Sequence, residues 1–89
     1  KEKNIRFVIY PNPNNGEFTA DISGIENNHQ IKILLTGEKG QIVYESDFFI
    51  NDSANSSFRI IPPGKLASGL YICTLLLEGI EYKVKVIVS

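Results

Sequence analysis

The chain has 89 residues, 43% hydrophobic and 21% charged, with a formal net charge of −1 at pH 7. That length holds one core and no second domain, and the dispersed charge excludes a field that steers nucleic acid or an anionic membrane. Cys73 is the sole cysteine, which excludes an intrachain disulfide and a cysteine-rich zinc site.

From the first strand onward the hydrophobic period is two, the repeat of a strand with one buried face. A strand is expected near 5–10, followed by Pro11-Asn12-Pro13-Asn14-Asn15-Gly16. The two prolines stiffen that segment, and Asn-Gly reverses it. Next, Phe18, Ala20 and Ile22 alternate with Glu17, Thr19 and Asp21, giving a strand at 17–22. After a polar loop, Ile31, Ile33 and Leu35 alternate with Gln30 and Lys32, although Leu34 breaks the polar side. Gly37-Glu38-Lys39-Gly40 then closes a hairpin between 30–35 and 41–50.

The second half repeats this grammar. A polar Asn- and Ser-rich loop over 51–57 leads into a short strand at 57–61, ended by Pro62-Pro63-Gly64. The last two strands are expected at 69–77 and 80–88, joined by the two-residue reversal Glu78-Gly79. In the final one Ile80, Tyr82, Val84, Val86 and Val88 alternate with Glu81, Lys83 and Lys85. No stretch has helical periodicity, and the near-apolar run 70–77 is too short to span a bilayer as a helix. The expected fold is all-β: one immunoglobulin-like β-sandwich of about seven antiparallel strands across 1–89.

Convergent chemistry is sparse. His29 is the single histidine and falls in a predicted loop, with no G-x-S-x-G around it. Glu45 with Asp47, and Glu17 with Asp21, read as outward charges on half-buried strands rather than acid–base pairs. Asp47 and Asp52 flank an Asn-rich loop but lack EF-hand spacing for calcium. Cys73 lies on the face of Tyr71 and Leu75, as a small buried hydrophobe. Asn51-Asp52-Ser53 and Asn55-Ser56-Ser57 fit the N-glycosylation pattern, which matters only in a cell that glycosylates it. Tyr10, Tyr44, Phe48 and Phe49 offer a carbohydrate-stacking face or, as expected of a small sandwich, core. The reading is a non-catalytic module with no metal and no cofactor.

Four clusters resemble one family. Tyr10-Pro11-Asn12-Pro13-Asn14-Asn15-Gly16-Glu17-Phe18 is similar to an opening Y-P-N-P-x-x-G-x-[FL]. Gly40-Gln41-Ile42-Val43-Tyr44 is similar to G-[KQ]-x-V-[YF], and Leu66-Ala67-Ser68-Gly69-Leu70-Tyr71 to L-x-x-G-[VLI]-Y. Lys85-Val86-Ile87-Val88 closes the series like K-[LV]-[IV]-[IV]. In this order and spacing they resemble the C-terminal sorting domain (type A) of the Bacteroidetes type IX secretion system. Ala67, where that family commonly has Pro, and Ser89, where it often ends in Lys or Arg, depart from the pattern.

The resemblance implies a sorting signal at the end of a longer exported protein. It implies passage through the periplasm to the outer-membrane surface or medium, recognition by the outer-membrane translocon, and removal by a surface sortase. The alternative is an accessory spacer or glycan-binding module of a cell-surface protein. The expected recognition element is the chain end, Lys83, Lys85, Val86, Ile87, Val88 and Ser89, supported by the turn around Gly69. A terminal strand of this kind can pair with a partner's sheet edge, or with a second copy. Pro11, Asn12, Pro13, Gly16, Gly40, Gly69 and Tyr71 are expected to maintain the fold, with Tyr71 sending its hydroxyl to backbone as tyrosine corners do.

Overall fold

A computed structural model describes residues 5–25, 29–50 and 55–89. Among the described residues the chain forms seven strands: β1 (Arg6–Tyr10), β2 (Phe18–Ser23), β3 (His29–Thr36), β4 (Ile42–Ile50), β5 (Asn55–Ile60), β6 (Gly69–Leu77) and β7 (Ile80–Val88). They make two antiparallel sheets, ordered β1-β2-β5 and β4-β3-β6-β7. This is the expected all-β sandwich, with the two-residue period written into the burial of β2, where alternate residues are fully enclosed.

The inner faces share one core. Phe18, Ala20, Ile22 and Ile60 come from the three-stranded sheet; Ile31, Ile33, Leu35, Cys73, Leu75 and Val86 come from the four-stranded one. Fully burying each large side chain of this kind is worth about 1.5–3 kcal/mol, so the layer between the sheets supplies most of the folding drive. Thr19, Asp21, Ser57 and Arg59 fall on the other side of the smaller sheet and remain exposed or half-buried.

Strand ends move by one or two residues from the sequence expectation, and two of the shifts matter. His29 opens β3 instead of lying in a loop, because it pairs with Ile50 across the sheet. β5 begins at Asn55, since Asn55 and Ser56 pair with Ser23 and Ile22 of β2. Cross-strand pairing overrides the poor strand propensity of these polar residues. The second glycosylation pattern therefore lies at the start of a strand, while Asn51, Asp52 and Ser53 lie outside the described residues.

The turns follow the sequence closely. Glu78 and Gly79 have φ of 52° and 80°, and positive φ at both central residues is the hairpin turn whose twist matches the flanking strands. Gly40 closes the β3–β4 connection, donating its N–H to the Gly37 carbonyl at 3.0 Å.

Candidate functional site

β7 is an edge strand of the larger sheet, and the segment between β1 and β2 is fastened to it. The Asn12 carboxamide donates through Nδ2 to the Lys85 carbonyl at 2.7 Å. Its Oδ1 accepts the Ile87 N–H at 2.9 Å. Two residues on, the Asn14 N–H donates to the Ile87 carbonyl and the Asn14 carbonyl accepts the Ser89 N–H, both at 2.9 Å. Asn14 thus makes a parallel bridge to Val88. One side chain and the backbone of one residue together do the work of a short added strand.

The composition of the segment explains the device. Pro11 and Pro13 carry no backbone N–H, so the main chain here is poor in donors and the Asn12 side chain supplies one. Both X-Pro bonds are cis. Asn14 is buried; its Nδ2 donates to the Pro11 carbonyl at 2.9 Å and its Oδ1 accepts the Gly16 N–H at 2.8 Å. A buried carboxamide is tolerable because both ends are paired. Gly16 has φ of 106°, a conformation that side chains resist and glycine adopts freely.

Across from this hook, Tyr71 behaves as a tyrosine corner should. Its ring is buried and its hydroxyl donates to the Ala67 carbonyl at 2.6 Å. The bond ties the approach to β6, including Gly69, to the first turn of that strand. Gly69 pairs with Val88, so this end of β6 also fixes the end of β7.

The six residues expected to form the recognition element divide into two sets. Val86 and Val88 are buried in the core. Lys83 and Lys85 point outward, and Ile87 is 47% exposed between the hook and β6. Lys83 lies 3.5 Å from Glu81, whereas no ion pair is seen for Lys85 among the described residues. Alternation accounts for the division: a strand cannot show every side chain to one face.

These lysines border a shallow depression on the outer face of the larger sheet, floored by Leu34, Thr36, Ile72 and Thr74. On its far side Lys32 bridges Glu45 at 2.8 Å and Asp47 at 3.2 Å. The Glu45 hydrogen bond, followed by that of Asp47, raises the Lys32 pKa above its ordinary value. Asp47 is thereby engaged by a cation, and its proposed calcium companion Asp52 lies outside the described residues.

Other sequence-marked residues do not converge. Burial pushes the Cys73 thiol up to about 12, which keeps it protonated and unreactive at neutral pH. Tyr44 and Phe48 pack against the core, and the Phe48 ring meets Phe58 with centroids 4.4 Å apart. Tyr10 and Phe49 instead stay 48% and 57% exposed. They sit at an end of β1 and an end of β4, in different sheets, because each occupies the outward phase of its strand. The expectation that these aromatics are core holds for two of the four, and the exposed two share no stacking platform.

The hook escaped the sequence reading, which treated Asn12 and Asn14 as turn residues. Its signal was present in the flanking prolines, which remove donors where the chain must still pair. Among proteins of known family, the model described as a secretion system C-terminal sorting domain (Por secretion tail) matches residues 8–89. No curated protein matches the chain.

Proposed function

Because the chain belongs to the secretion system C-terminal sorting domain family of type IX export, we propose that it is the detachable address of an exported cargo protein. The domain ends a longer chain, docks as a folded unit on the outer-membrane translocon, and is removed by a surface sortase. In this reaction it is the substrate.

Recognition uses the outward set of the last strand: Lys83, Lys85 and Ile87, with Ser89 beside them. Val86 and Val88 serve by holding the strand against the core. The observation that carries this reading is the exposure of two lysines and an isoleucine on a strand whose alternate residues already satisfy the core. Glycan binding receives no such support, since Tyr10 and Phe49 lie in different sheets.

The test is a reporter fused ahead of residues 1–89 in a bacterium that has the pathway. Replacing Lys83, Lys85 and Ile87 with serine should lower secretion at least tenfold. The matching exchange of Thr19 and Arg59 on the smaller sheet should leave it within twofold. A wild-type fusion that stays in the periplasm would sink the sorting role.

A further inference from the structure

The edge of β7 is paired along one half; along the other, although β1 packs close to β7, no strand pairs with it. In an antiparallel pair, alternate residues turn both backbone groups toward the neighbour or away from it. Ile87 gives its N–H and its carbonyl to the hook, and Lys85 gives its carbonyl. Odd-numbered residues of β7 therefore face away from β6. By the same alternation Glu81 and Lys83 present N–H and C=O outward, and Lys85 its N–H. No partner is seen for these groups among the described residues.

Burial follows the same division. Val86 and Val88, beneath the hook, are enclosed, while Tyr82 and Val84, beyond its reach, are half-buried. The side-chain charges at 83 and 85 are basic, and those lysines stand on the solvent side of the open stretch. The pairing of Asn14 with Val88 demonstrates that this edge accepts an added extended segment. At the opposite edge of the sheet, by contrast, the pairing of β4 to β3 is broken by a register shift at Leu35/Thr36, the sort of irregularity that discourages strand addition.

Resting on the sorting reading above, we infer that the docking site is the backbone edge 81–85. It receives one extended segment of the export machinery, as a strand added to the sheet. That segment alternates apolar residues, which complete the cover over Tyr82 and Val84, with acidic residues, which meet Lys83 and Lys85. Main-chain bonds supply affinity and the alternating side chains supply selectivity. From the Lys85 carbonyl onward the edge is not available for main-chain pairing, because the hook already holds it.

Proline at position 83 separates backbone from side chain. The Lys83 N–H faces away from β6, so Lys83→Pro removes the outward donor while leaving the β6 pairing intact. In the reporter fusion, Lys83→Pro should cut secretion at least tenfold, and Lys83→Ala no more than threefold, with both purified fusions melting cooperatively. Wild-type secretion by Lys83→Pro, or an equal loss in Lys83→Ala, overturns the edge assignment while the sorting role stands. If Lys83→Pro shows no melting transition, Glu81→Pro, which removes the neighbouring outward donor, decides: a fivefold or greater fall beyond that of Glu81→Ala supports the edge, and no such difference overturns it. A wild-type fusion that sediments as a dimer, with a monomeric Lys83→Pro variant, would assign the edge to a second copy and overturn the machinery as occupant. Failure of the wild-type fusion to leave the periplasm would strike the sorting role beneath both.

Discussion

The outer faces of the two sheets differ, though both rest on the same core. The three-stranded sheet shows water Thr19, Asp21, Ser57 and Arg59, with Ser57 donating to Asp21 at 3.0 Å and Arg59 to Glu17 at 3.4 Å. The four-stranded sheet shows Leu34, Ile72 and Leu70, bordered by Lys32 with its two carboxylates on one side and Lys83 and Lys85 on the other. A sheet with one buried face has no packing need for apolar residues on the other. The larger sheet therefore carries apolar residues on its central strands beyond what its own core requires, whereas the smaller one confines them to its edge strand, at Val8 and Tyr10.

The largest perturbations test whether the core is common to both sheets. Phe18→Ala in the smaller sheet and Leu75→Ala in the larger should each cost about 3–5 kcal/mol. Each variant should keep a single melting transition by circular dichroism; two separate transitions would mean that the sheets are independent and that the comparison of their faces is misplaced. Asn14→Ala comes next, at about 1–3 kcal/mol, because it strips the buried carboxamide that, through Pro11 and Gly16, holds the hook in the shape that meets β7. Amide exchange at Ile87 and Ser89 should accelerate in that variant ahead of the strand interiors.

Smaller effects sharpen the contrast. Tyr71→Phe removes one hydroxyl bond and should cost about 1 kcal/mol in denaturant unfolding. Cys73 gives a pH test. Its folded thiol titrates near 12, above the unfolded value, so the folded state holds a proton that the unfolded state loses. The contribution is full below about pH 8.5 and declines as pH rises toward 12. The slope of stability against pH over that interval should flatten in Cys73→Ala. Finally, Lys32→Gln should have the smallest effect of the set on stability, since the pair is exposed and screened. A larger, salt-insensitive loss would show that this border helps hold the sheet together.

Much of the fold was legible because strands announce themselves by alternation. β7 could be read residue by residue from Ile80 to Val88, and the Glu78-Gly79 reversal followed from its glycine. The tyrosine corner was readable too, from a tyrosine near the start of a late strand. Less legible was anything set by a distant partner. Asn12 looks like a loop residue until Lys85 and Ile87 are brought beside it, across separations of 73 and 75 positions. Tyr10 and Phe49 mislead for a related reason: hydrophobicity fixes the cost of exposure, but strand phase decides who bears it. Leu34 broke the polar face in the sequence, and that break marked the apolar outer surface that the structure displays.

The hook also imposes an order in time. Asn12 and Asn14 leave the ribosome long before the residues they hold, and their bonds end at Ser89, 75 positions downstream of Asn14. Until synthesis reaches that point, the first hairpin has nothing to clasp and β6 has only β3 beside it. A nascent or prematurely terminated chain thus cannot display the finished last strand. The same clasp that tidies a sheet edge thus makes closure of the first hairpin depend on residues 85–89, the last to be made of all those it joins.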